Sequence, residues 1–271
     1  MSKLNILVAY PYMTSNVISL LNENKHQIRF LLDSGAFTAW KAGKPIQLDD
    51  YCRFIESLPF KPWRYFTLDV IGDPEKSFLN YQKMLERGFN PVPIFTRGEK
   101  IEMIDEYYKT SDVLGIGGLV GTPGNKGFVK GVMNIIGKRK VHWLGFTSND
   151  FVAHYKPYMC DSSSWEGGAR YGAFSLYCGH GRYVTMKRVD FSKKPSYEIE
   201  KQLASYDVSV NDLSKNKNWC GGRSINRTLN ARSAVRASLD IEKTLGTKKF
   251  SACATALALN LLIEGYKKEI K

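Results

Sequence analysis

The sequence predicts an α/β fold, a (β/α)8 TIM-type barrel with a basic helical C-terminal appendage. Three observations carry this expectation. Short β-rich runs alternate with stretches of helical periodicity through the first 165 residues. Strand–helix alternation of this kind implies a parallel sheet, and seven or eight such units fit the 271-residue length. A doubly wound open sheet is the runner-up, but no Gly-x-Gly-x-x-Gly follows the first strand, which disfavours a dinucleotide-binding version.

The elements follow in order. Strands are expected at Ile6–Ala9, Ile28–Leu32, Tyr65–Val70, Pro91–Phe95, Leu114–Leu119, Val141–Phe146 and Tyr158–Cys160. Helices are expected near Leu48–Ser57, Glu75–Arg87, Lys100–Tyr108, Lys126–Ile136 and Asn149–His154. Asp73-Pro74-Glu75 reads as an acidic cap with proline in the first turn, and Gly88 as a C-cap. After Trp165 the chain becomes rich in glycine and aromatics, then basic, and two helices follow near Ser224–Leu245 and Ala252–Lys267. Residues 1–190 are taken as the barrel with its pocket, and 191–271 as barrel closure plus the basic helical appendage.

Composition narrows the function. Lys and Arg number 39 against 26 Asp and Glu, a formal charge of +13 with a pI near 9.4. A folded chain this basic favours a polyanionic partner, because phosphate contacts release counterions. With 43% hydrophobic and 13% aromatic residues the chain is not disordered. The apolar stretch Ala252–Ile263 is too short for a membrane span, and the N-terminus reads as a strand and not as a signal peptide. Five cysteines at irregular spacing suggest the reduced thiols of a cytoplasmic protein.

Barrel enzymes place catalytic groups at the C-terminal ends of strands. Here three expected strand ends carry Asp33, Asp69 and Asp161, each near glycine or serine. Facing carboxylates suit glycosyl chemistry: one stabilises or attacks a cationic sugar carbon, the other moves a proton. A lone aspartate at such a place is more often an N-cap; three together favour function. His26, His142 and His154 show no partner pattern and read as structural.

Asp33-Ser-Gly-Ala-Phe37, Leu68-Asp69, Ile116-Gly117-Gly118-Leu119-Val-Gly121, Leu144-Gly145-Phe-Thr and Cys160-Asp161-Ser162 occur in that order. This series, over about residues 28–165, resembles the motifs of the tRNA-guanine transglycosylase superfamily. It is most similar to the compact phage and bacterial DNA-guanine transglycosylases, which exchange guanine in DNA for a 7-deazaguanine. The resemblance implies Asp161 as the nucleophile on the sugar C1′ and Asp33 as the general acid/base. It implies Asp69 as a partner of the base edge, Gly117 and Gly118 as backbone donors to its carbonyl, and Ser34 and Arg97 as pocket lining. Phe37 and Tyr10 are candidates for stacking on the base or for core packing.

The expected partners are therefore DNA and a free 7-deazaguanine base such as 7-cyano-7-deazaguanine, with no membrane. The compartment is the cytoplasm, that of a bacterial host if the chain is phage-encoded. Arg170 and the basic run Arg182, Lys187, Arg188, Lys193 and Lys194, with Arg223 and Arg227 of the next helix, are expected to meet phosphates. No cofactor is expected. The zinc pattern of the tRNA enzymes, Cys-x-Cys-x-x-Cys with a later His, is missing, and Cys178, His180 and Cys220 make at most a partial set. Exchange on tRNA is the nearest alternative, followed by a non-catalytic nucleic-acid-binding barrel and a glycoside hydrolase on the same scaffold.

Overall fold

A computed structural model describes residues 2–121, 124–191 and 195–270 of the chain. Among the described residues ten strands are formed: β1 Leu4–Ala9, β2 Ile28–Asp33, β3 Arg64–Tyr65, β4 Ile94–Phe95, β5 Val113–Ile116, β6 Lys140–Trp143, β7 Met159–Ser162, β8 Ala173–Tyr177, β9 Tyr183–Lys187 and β10 Lys248–Ala252. The helices are α1 Ser15–Glu23, α2 Ala36–Lys41, α3 Leu48–Ser57, α4 Pro74–Glu86, α5 Met103–Tyr108, α6 Asn125–Ile136 and α7 Asn149–Tyr155. They continue with α8 Ser164–Arg170, α9 Arg188–Phe191, α10 Tyr197–Ala204, α11 Val210–Leu213, α12 Ile225–Leu245 and α13 Ala256–Glu269.

Eight strands form one parallel, curled sheet in the order β3-β2-β1-β10-β7-β6-β5-β4, flanked by helices. This is a TIM-like arrangement. Its two edges meet at one parallel bridge, Phe66 with Val92, and not along a ladder. Around that bridge Thr67 N–H donates to Val92 C=O and Val92 N–H to Tyr65 C=O.

Alternation along each strand sends successive side chains to opposite faces. Leu7, Leu31, Phe66, Ile94, Val113, Met159 and Phe250 form one inward cluster, buried to at least 92%. The other faces pack against helices, with Ile6, Val8 and Leu32 meeting α1, α3 and α13, and Leu114, Ile116 and Trp143 meeting the α5–α7 side.

Several boundaries differ from expectation. The run Tyr65–Val70 makes ladder pairs only to Tyr65, because its partner strand β2 ends at Asp33 and the chain turns at Gly35. The expected strand Val141–Phe146 ends at Trp143, because Gly145 turns the backbone with φ 65°; a Cβ there would lie 2.4 Å from Val120 Cγ2. Helices α1 and α2 were not expected, nor was the antiparallel hairpin β8–β9.

The largest difference concerns the C-terminal part. Residues 248–252, which the sequence reading left between two helices or at the start of the second, form β10, which sits between β7 and β1. Helix α12 is not an appendage. It packs on α13, β1, β8, β10 and α8, and buries Leu229, Ala231, Arg232, Val235 and Ile241. What stands outside the repeating plan is the segment between β7 and α12. There β8, β9 and α10–α11 close a separate small core of Phe174, Leu176, Leu203, Tyr206, Leu213 and Trp219.

Candidate active site

The C-terminal ends of β2, β6 and β7, with the segment that follows β3, bring four polar residues together. Asp33 ends β2, and its Oδ2 accepts the Gly35 N–H at 3.0 Å. Gly35 makes this turn possible: its φ is 75°, and a Cβ would fall 2.3 Å from Pro11 Cδ. Ser34 is fully buried, and its Oγ donates to Asp69 Oδ1 at 3.1 Å. Asp69 is held in place from behind. Asn80 of α4 donates to Leu68 C=O, the Ser77 hydroxyl accepts from Val70 N–H, and Tyr51 donates to Phe66 C=O. The N-cap role belongs to Asp73, whose carboxylate accepts from Lys76 N–H. Neither Asp33 nor Asp69 caps a helix among the described residues.

Asp161 is 8% exposed. Its Oδ1 takes two hydrogen bonds, from His142 Nε2 at 2.8 Å and from Gly145 N–H at 3.0 Å. Its Oδ2 has no partner among the described residues. The His142 ring is buried, lies 4.9 Å from the Phe66 ring, and leaves Nδ1 without a hydrogen-bond partner. The ring therefore donates through Nε2, because Nδ1 faces nothing that would accept a proton.

The carboxylates feel one another. Burial first, then the charges of Asp69 and Asp161, push Asp33 up to about 7, against the opposing N–H groups of Gly35 and Ser34. Burial also raises Asp69, with the Ser34 hydroxyl working the other way. No Lys or Arg pairs with any of the three among the described residues. A carboxyl that titrates near neutrality, beside a second one with a free oxygen, is equipped for proton transfer next to a nucleophile.

The remaining expected residues divide. Gly117 is not free to bind a ligand through its N–H, which donates to Phe95 C=O at 2.9 Å; close packing on Ile94 explains the glycine. Gly118 N–H has no partner among the described residues. Arg97 is exposed and lies over the Phe128 ring at 4.7 Å, outside the carboxylate cluster. Phe37 is 41% exposed and stacks with Trp40, whereas Tyr10 packs against Tyr51 and Phe54.

Arg182, Lys187 and Arg188 are exposed on or beside the β8–β9 hairpin, and Arg170 is exposed at the end of α8. Arg227 is committed to the buried Glu166 at 2.7 Å, and Arg223 pairs with Glu264 at 3.0 Å. Lys193 and Lys194 lie outside the described residues. Cys52, Cys160, Cys178 and Cys253 form no disulfide, Cys178 Sγ bonds Leu176 C=O, and no three His, Cys, Asp or Glu side chains are grouped to hold a metal among the described residues. No described helix is long and apolar enough to cross a membrane.

Sequence reasoning missed His142. The signal was parity: His142 pairs in register with Met159, so it shares the inward face with Asp161, two residues further along the neighbouring strand. Glu166 was missed as well; buried between Arg227 and Arg170, it ties α8 to α12. Comparison of the chain with protein-family models, curated proteins and solved structures finds no match.

Proposed function

We propose that this chain is a guanine transglycosylase acting on DNA, exchanging a guanine for a 7-deazaguanine base such as 7-cyano-7-deazaguanine. One observation carries the reading. Asp33, with its carboxyl pushed up to about 7, faces Asp161, which keeps one oxygen free while His142 and Gly145 hold the other.

In the proposed reaction, Asp161 Oδ2 forms a bond to C1′ as the bond from C1′ to the guanine nitrogen breaks. The departing base takes the proton of the Asp33 carboxyl. The incoming base then gives its proton to the Asp33 carboxylate as its nitrogen bonds C1′ and the C1′–Oδ2 bond breaks. One glycosidic bond replaces another, so the exchange is balanced without a redox step. Asp69, steadied by Ser34, is positioned for the N–H groups of the base edge. The target base leaves its stack to reach this depth, and the exposed Arg170, Arg182, Lys187 and Arg188 suit the phosphates of the splayed strand.

The test is nucleoside mass spectrometry of DNA and tRNA from cells given a 7-deazaguanine supply and expressing either the wild type or Asp161→Ala. A modified deoxynucleoside found only with the wild type is the expected result. Modification confined to tRNA would move the reaction to the other polymer. No modified nucleoside in either, with folded protein present, would remove the enzymatic reading.

A further inference from the structure

A second polar cavity lies on the opposite face of the strand that carries Asp161. It has a volume of about 270 Å3 and sits between β7, β10, α12 and the β8–β9 hairpin. Because side chains alternate, Ser162 of β7 and Lys249 and Ser251 of β10 point into it, while Asp161 and Phe250 point inward. Ser164 and Asn149 form its exposed rim, beside the loop that follows Asp161.

Three features of its lining bear on what it holds. No Asp or Glu lines it among the described residues. Lys249 is half-buried and has no carboxylate partner there; its ammonium donates only to the Tyr183 hydroxyl, at 3.2 Å. Ser251 is 5% exposed, yet its hydroxyl has no hydrogen-bond partner among the described residues. By contrast Asn230 and Ser233, deeper in the wall, are already spent on the backbone of β8. A half-buried cation without a carboxylate partner, beside an unused hydroxyl that opens onto the cavity, is a combination that a bound anion would complete.

We propose that this cavity is a phosphate site, taking a phosphate group on Lys249, Ser251 and Ser162. The site is separate from the carboxylate cluster, whose negative charges would repel the same ligand. Only the source of the phosphate rests on the proposed function: a nucleic-acid strand supplies it from the backbone next to the target base, whereas a free nucleotide supplies it as a monoester.

Isothermal titration with inorganic phosphate, dGMP and an unmodified single-stranded DNA octamer tests this. The variants are Lys249→Gln and Ser251→Ala, with Lys130→Gln as a control for loss of one exposed surface charge. Thermal unfolding establishes that each variant is folded. The expected result is about 10-fold weaker binding in Lys249→Gln and about 3-fold in Ser251→Ala, with Lys130→Gln unchanged for dGMP. Weakening of all three probes identifies a site open to free nucleotides, and weakening of the octamer alone identifies the strand backbone. Affinities within about 2-fold of wild type for every probe in both variants, or no binding of any probe to the wild type, overturn the proposal. Should dGMP bind through Lys249 while the octamer does not bind at all, the cavity assignment stands and the DNA reading falls.

Discussion

Two groups of buried acids in this molecule are treated in opposite ways. Around α12, Glu166 and Glu269 have arginine partners. Glu166 is held by Arg227 at 2.7 Å, and Glu269 by Arg236 at 2.6 Å and Arg232 at 3.1 Å, with the Arg236 guanidinium 3.7 Å from the Tyr206 ring centroid. At the mouth of the sheet, Asp33, Asp69 and Asp161 have only hydroxyl, imidazole and backbone N–H donors among the described residues. An arginine pair satisfies a carboxylate and removes it from proton chemistry. A carboxylate without a cation is costly to bury, and that cost appears as the raised Asp33. The first group holds helices together. In the second, Asp33 is pushed into the neutral range, a perturbation of the kind that clusters at functional sites.

The comparison can be broken in four places. The largest effect is expected from Asp161→Asn, which keeps the shape and loses the proposed nucleophile: the proposed guanine exchange, followed with labelled guanine on DNA, falls at least about 10³-fold, roughly 4 kcal/mol of barrier. Glu269→Ala leaves the buried Arg232 without that carboxylate, and urea denaturation is expected to show a loss of about 3 kcal/mol.

Asp33→Asn should do the reverse. The folded-state carboxyl titrates near 7 against an ordinary value of 3.8, so the stability that Asp33 itself contributes in the wild type is fully present below 3.8 and is lost as pH rises through about 7. Removing the charge therefore raises stability at pH 8 by up to about 4 kcal/mol and changes it little at pH 4. Equal effects at both pH values would mean that Asp33 is not held above its ordinary range. The smallest effect belongs to Arg223→Ala. Its pair with Glu264 is exposed, and the change in unfolding free energy should stay within about 0.5 kcal/mol. A large loss there would dissolve the contrast between buried and surface pairs.

The same contrast explains what was visible beforehand. Asp33, Asp69 and Asp161 were legible because each follows an apolar run and precedes a turn, a local signal. His142 was not, because a histidine inside a strand carries no mark of which face it uses until the register with β7 is known. The arginines of α12 misled for a related reason: spread along a helix they resemble a solvated basic face, and only the folded chain brings Glu166 and Glu269 to them. Gly117 shows the converse, a motif residue whose N–H the β4–β5 pairing uses up.

Strand–helix alternation, the basic charge and the aspartates at strand ends were set by local composition and periodicity alone, since apolar runs and turn residues act over a few positions. The tertiary structure decided what depends on distant partners: that β10 enters between β7 and β1, that α12 belongs to the helical layer, and that one oxygen of Asp161 is held while the other is left free. Burial and charge coupling are properties of neighbourhoods in space, and the raised Asp33 arises only once three residues far apart in the chain share one low-dielectric pocket.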